Sequence, residues 1–176
     1  MIEEDIQASS SVLDLCKWLP AKVNIHAWRL EMDRVPTTDA LKRRNVIVGD
    51  SRCILCNFEE ETAEHMFTAC YIASNVWQGI SSWCKIPSIY AFSIKDLFSF
   101  HKNLRVSDKK NEAVQGIIMI ACWSLWRARN NAKFSNISVR IENVVSEIKA
   151  MGFLWFFNRF KNAGIEWREW CSFVDM

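Results

Sequence analysis

The sequence predicts an all-α protein: a helical domain interrupted by one irregular Cys/His-bearing segment, followed by a long-helix C-terminal hairpin. Apolar residues recur at helical spacing through most of the chain, and Pro, Ser, Thr and Asn fall where helices start and stop. No segment combines β-branched alternation with hairpin turn chemistry. Pro20 is placed to open a helix running to about Met32, with Val23, Ala27 and Leu30 on one face and Trp28 beside them. Thr37 or Thr38 can cap a short helix from Asp39 to Arg44, whose acidic start and basic end suit the helix dipole. Val46-Ile-Val48 is a short extended piece without a partner strand. Helices are expected from Thr62 to about Ala69 and from about Ala73 to Cys84, where Pro87 follows. Ser93 caps a further amphipathic stretch, and Asp108 opens the longest pattern, to about Phe134. After a Ser135–Ser138 break, Val139 to about Lys161 forms the last long helix, stopped by Asn162-Ala-Gly164; Glu166–Trp170 adds another turn or two.

At 176 residues the chain can bury a core without disulfides, and its division is expected at 12–88 and 89–176. Half the residues are hydrophobic and 24% are charged, which excludes disorder. Charge is uneven: residues 1–88 hold 9 Lys/Arg against 12 Asp/Glu, and 89–176 hold 13 against 8. The second half is therefore the better electrostatic match for nucleic acid. The N-terminus, Met1-Ile-Glu-Glu-Asp-Ile-Gln7, is acidic and lacks an apolar core, so neither a secretory signal nor a transit peptide is expected. Ile117–Trp126 is apolar but spans about half of the ~20 residues needed to cross a bilayer. An intracellular, reducing location follows, in which 7 cysteines argue for buried or metal-bound thiols over disulfides.

The chemistry concentrates in Cys53-Ile-Leu-Cys56 with His65 and Cys70, spaced C-x2-C-x8-H-x4-C. Two thiolates from one tight turn reach a single ion, and His65 and Cys70 return from the two ends of a short helix to complete a tetrahedron. Three thiolates and an imidazole favour Zn2+ over the oxygen-seeking Mg2+ and Ca2+. This is a zinc-knuckle-like segment in which protein fills all four positions, so the metal is structural. Ordinary core thiols are the bland alternative, but chance seldom sets four such ligands this close. Ligand atoms within about 4 Å of one another are expected. Glu59–Glu61 reads as a solvated loop. Cys16, Cys84, Cys122 and Cys171 read as packing residues, and His26 and His101 as structural or surface residues.

The runs Trp18–Leu30, Arg34-Val-Pro-Thr37, Leu41–Arg44, Cys53–Cys56, Glu60–His65, Cys70 and Val76-Trp-Gln78 resemble the reverse transcriptase zinc-binding domain of plant non-LTR retroelements. Trp123–Asn130 and the Trp-rich tail resemble the C-terminal extension of such proteins. The resemblance implies a non-catalytic accessory domain assisting RNA or DNA binding, nuclear if that role is retained. Its implied partners are RNA or single-stranded DNA and a reverse transcriptase core, with no membrane and no small-molecule substrate. No enzymatic activity is expected: the chain has no paired-aspartate polymerase motif, and its 8 acidic residues after position 88 lack the grouping that nucleotidyl transfer or RNase H chemistry requires. A structural or protein-interaction helical module without nucleic-acid binding is the alternative.

For nucleic acid, Lys42, Arg43 and Arg44 and, farther along, Arg127, Arg129 and Lys133 are the candidate phosphate contacts. Each group also suits a helix C-terminus, where cations meet the dipole. Trp28, Trp77, Trp83, Trp123, Trp126 and Trp155 fall in helical apolar stripes and are expected in the core; Trp18, Trp167 and Trp170 are freer to stack on bases.

Overall fold

The computed structural model describes residues 13–161 and 163–174. The acidic N-terminal segment and Asn162 of the expected helix stop lie outside them. Among the described residues, seven α-helices form: α1 (Ala21–Glu31), α2 (Thr38–Arg43), α3 (Tyr71–Cys84), α4 (Ile94–Ser99), α5 (Asp108–Ser135), α6 (Ile141–Arg159) and α7 (Trp167–Ser172). No strand forms among the described residues; the one antiparallel bridge joins Arg52 and Glu60. The all-α expectation holds, and the irregular segment lies between α2 and α3.

Local chemistry sets the helix ends. Pro20 is the residue before α1, extended at ψ 147°, and its carbonyl accepts from Val23 N at 3.0 Å. Thr37, Ser93 and Ser107 cap α2, α4 and α5 by accepting from the backbone N–H of Ala40, Asp96 and Lys110. Lys85 and Asn136 close α3 and α5 in the left-handed region. α5 is buried almost all round from Ile117 to Cys122, which identifies the most membrane-like stretch of the sequence as the central helix of the core. No helix among the described residues is long and apolar enough to cross a membrane.

α5 and α6 form an antiparallel hairpin. Arg127 pairs with Glu147, and farther along the hairpin Ile120 lies against Gly152. α1 and α4 pack on α5, α3 packs on α6, and α7 closes the end between α3 and α6. Buried side chains from Leu13 to Phe173 join in one cluster, including the metal-segment residues Cys53, Met66, Phe67 and Cys70.

Two tryptophans expected to be free are instead fully buried, because glycines on facing helices make room for them. Trp18 packs against Gly116 of α5, where a Cβ would fall 2.0 Å from its ring. Its Nε1 donates to Glu112 O at 3.3 Å, and its ring meets Phe156 edge-on at 5.1 Å. Trp170 covers Gly152 of α6 in the same way and donates to Lys149 O at 2.9 Å; Trp83 Nε1 in turn donates to Trp170 O. Trp28 departs from expectation in the opposite sense. It is 42% exposed, with the Arg34 guanidinium 5.6 Å from its ring centroid. Cys16, Cys84 and Cys122 are buried as packing residues, whereas Cys171 is exposed on the outer side of α7.

His26 of α1 is buried among Phe67, Trp123 and Trp126, and neither ring nitrogen has a hydrogen-bond partner among the described residues. Burial, helped by the Arg29 charge, pushes its pKa down to about 4. The unfolded chain therefore binds a proton near pH 6.5 that the folded chain refuses until about pH 4. Stability from this residue is complete above pH 6.5 and is lost as pH falls toward 4, by about 2 kcal/mol at pH 5. Urea unfolding of wild type and His26→Leu at pH 7 and pH 5, with zinc supplied, is expected to show a smaller acid loss in the variant. Equal losses would remove His26 from the acid response.

Candidate metal centre

The segment between α2 and α3 folds as a closed loop followed by a wide helical turn. Glu61 N donates to Ser51 O at 2.9 Å and Cys53 N to Glu59 O at 2.7 Å, so the two ends of the loop are tied together. Within it, Asn57 N donates back to Cys53 O at 2.7 Å, and Asn57 takes φ 61°, a left-handed conformation that asparagine tolerates. This tight turn sets Cys53 and Cys56 side by side. Backbone N–H groups of Leu55 and Cys56 face the Cys53 sulfur and favour its thiolate.

The second ligand pair comes from a π turn, His65–Ala69, closed by a bond from Cys70 N to His65 O at 2.7 Å. At about 100° per residue an ordinary α-helix would point residues five apart about 140° away from each other. The wider turn brings His65 and Cys70 to the same side. The sequence expectation of a regular Thr62–Ala69 helix is corrected here: the x4 spacing between the ligands is the sign of the wider turn. Cys70 then becomes the residue preceding α3, its sulfur facing the N–H groups of Ile72 and Ala73 in the first turn of that helix. Thr62 Oγ1 accepts from His65 N, and Glu64 accepts from Ile94 N, which fastens the turn to α4.

The four ligand atoms converge, all within 4.8 Å of one another. Cys53 Sγ and Cys70 Sγ are 4.0 Å apart, and Cys56 Sγ and His65 Nε2 are 3.3 Å apart. Ligand bonds of about 2.0 to 2.3 Å in a tetrahedron give edges of roughly 3.5 to 3.8 Å. The two measured pairs bracket that range, and the widest separation exceeds the expected 4 Å by less than 1 Å. Protonation fits a cation as well. Contact with Cys70, together with burial, pushes the Cys53 thiol up, while the same contact pulls Cys70 down; two buried sulfurs share a proton that a dication replaces. Burial lowers the His65 pKa, so its imidazole is neutral and ready to ligate. The donor set and its closure fit structural Zn2+, with Cys53, Cys56, His65 and Cys70 as ligands.

Glu61 belongs to the site's support, which sequence reading missed by placing it in a solvated loop with Glu59 and Glu60. It is fully buried. Its carboxylate accepts from Thr38 N at 3.0 Å, Thr38 Oγ1 at 2.8 Å, and Arg129 Nε at 3.1 Å, and also from Arg129 Nη2. Burial alone would raise its pKa, but the Arg129 charge and these donors hold it below the usual carboxylate value. The pair joins the metal loop to α2 and to the end of α5.

The candidate phosphate contacts are placed differently from one another. Lys42 pairs with Glu60 at 2.7 Å, Arg43 with Asp33 and Asp39, and Arg127 with Glu147. Arg129 is buried on Glu61 and does not face solvent. Arg44 and Lys133 are exposed and form no ion pair among the described residues, though the Lys133 charge acts on Asp50; Lys133 Nζ donates to Thr38 Oγ1 at 3.1 Å.

Fold and site together define a helical protein built around a closed Cys3His zinc site. Residues 7–77 match the family model described as zinc-binding in reverse transcriptase, and all four ligands lie inside that match. The match ends within α3. No curated protein and no solved structure matches the chain.

Proposed function

We propose that this chain is a non-catalytic accessory domain, derived from a retroelement reverse transcriptase of the plant non-LTR kind, that assists the binding of RNA or single-stranded DNA. The observation that carries the reading is the family match that contains a metal site whose four positions are all filled by protein, which stabilises a fold and leaves no place for a reacting water. The cationic excess of residues 89–176 supports it. If the family role is retained, the protein works in the nucleus beside a polymerase.

Binding of a labelled RNA of about 12 nucleotides, followed by fluorescence anisotropy, tests this reading. With about three phosphates neutralised, affinity is expected to fall roughly 20-fold between about 50 and 200 mM salt. No retention at the lower salt would sink the nucleic-acid role.

A second reading has its own observation. Leu154, Phe157 and Trp167 are each about half exposed, and Phe153 joins two of them, stacked on Phe157 at 5.5 Å and edge-on to Trp167 at 5.1 Å. An exposed aromatic patch of this kind on α6 and α7 favours a protein-interaction module. Failure to bind RNA together with stable self-association would move the function to this surface.

A further inference from the structure

We propose that the groove between the metal loop and the end of α5 holds one unstacked nucleotide of single-stranded RNA, with the base against Phe134 and the phosphate on Lys133. This rests on the accessory reading above and names the surface that performs it. The groove has a volume of about 490 Å3, within the range of sites that hold small organic groups. Its wall is apolar, formed chiefly by Leu41, Val46, Ile47, Ile54 and Phe134. Ile47, in the irregular stretch after α2, is 99% exposed, and Phe134, in the last turn of α5, is 75% exposed. The Arg129 guanidinium, fixed on Glu61, lies 5.9 Å from the Phe134 ring centroid and holds that ring at the groove edge.

Charge decides among occupants. Asp50, Arg52, Arg129 and Lys133 line the groove. Asp50 is bound by Arg52 through contacts of 2.6 to 3.1 Å, and Arg129 is bound to Glu61. The Lys133 charge also acts on Asp50, so one carboxylate faces two cations and the groove keeps one positive charge in surplus. The Lys133 ammonium has three donors, of which Thr38 Oγ1 takes one. Arg44, between the lining residues Leu41 and Val46 in sequence, forms no ion pair among the described residues. Of the two basic groups picked out in the sequence, the second lines the groove, through Arg129 and Lys133, while Arg44 stands beside it in sequence only. An apolar wall with an adjoining surplus positive charge matches a ligand with a flat π face and an anion, which is a nucleotide. An apolar peptide would leave that charge unanswered. Asn57 also lines the groove, and its side-chain oxygen can accept from a ribose 2′-hydroxyl, which favours RNA as the occupant.

The test uses the zinc-loaded full chain and an oligouridine of about 12 nucleotides carrying one 5-iodouridine for photocrosslinking. Phe134→Ala is expected to weaken binding roughly 5- to 150-fold, and Lys133→Gln to reduce the salt slope by about 0.7. Because both side chains are exposed, both variants should keep the wild-type helical circular dichroism. The crosslink is expected on the peptide containing Phe134, and the deoxy oligonucleotide of the same sequence should bind several-fold more weakly. If wild type binds RNA but both variants match it, or the crosslink maps to Trp28 or Trp167, the groove assignment is overturned while the accessory role survives. Equal affinity for the deoxy strand overturns the assignment to RNA. If wild type retains no RNA, both proposals fall, and a self-association abolished by Phe134→Ala would identify the groove as a protein-docking site instead.

Discussion

Stripping the metal from the native protein is expected to open residues 51–70 while leaving the α5–α6 hairpin folded. Apart from the Glu61–Arg129 pair at its end, the loop has few anchors: between Cys53 and Glu60 the buried side chains are Cys53 and Leu55, and the others are half-buried or exposed. Three thiolates and a neutral imidazole bind zinc only in the folded arrangement, so binding free energy becomes stability. At free zinc about 1,000 times Kd that contribution is about 4 kcal/mol. Elemental analysis should find one zinc per chain. A chelator should lower the urea midpoint, and hydrogen exchange should rise in the loop and the His65–Ala69 turn before it rises in α5. Cys56→Ser should reproduce the chelator's effect, whereas Cys171→Ser, on an exposed thiol of α7, should leave both zinc content and midpoint unchanged. Native protein that contains no zinc and ignores the chelator would falsify the ligand assignment.

The parts of this molecule that could be read from sequence are those whose signal is local. Long helices announce themselves by periodicity and caps, which is why Asp108 marks the true start of α5 and why, of Thr37 and Thr38, Thr37 is the cap of α2. The four ligands are equally local, all within one stretch of the chain with fixed spacing. What escaped reading depends on partners distant in sequence. Trp18 and Trp170 sit in short segments without a helical stripe, and only the glycines facing them, Gly116 and Gly152, show why they are buried. Trp28 lies next to the buried positions Ala27 and Leu30, but the helix turns it just outside the contact. The Glu61–Arg129 pair spans 68 positions, and neither residue carries a local sign of its partner. The basic clusters illustrate the same limit: their composition was visible, but which members are neutralised depends on where Asp33, Glu60, Glu61 and Glu147 fall in space.

Glu61→Gln is expected to destabilise the protein by about 3 to 5 kcal/mol, because it leaves the Arg129 guanidinium buried without a counter-charge. Arg129 is 2% exposed and held between Trp126, 4.8 Å from its ring centroid, and the carboxylate. The carboxylate's other two donors are the backbone N–H and hydroxyl of Thr38, so the loss also loosens the start of α2. Surface pairs such as Lys42–Glu60 differ in kind: both partners are about half exposed, and Glu60→Gln should cost under about 1 kcal/mol. Removing both buried charges separates the two contributions to the Glu61 effect. In the double variant Glu61→Gln with Arg129→Met no charge remains to be stranded, and its cost should be well below the sum of the two single costs. Urea unfolding of the four proteins at constant zinc measures this coupling directly. Additive costs would mean that the pair acts as two independent side chains and does not lock the metal loop to the end of α5. The same set of proteins tests the geometry on which the RNA groove depends, since Arg129 positions Phe134 only while Glu61 holds Arg129.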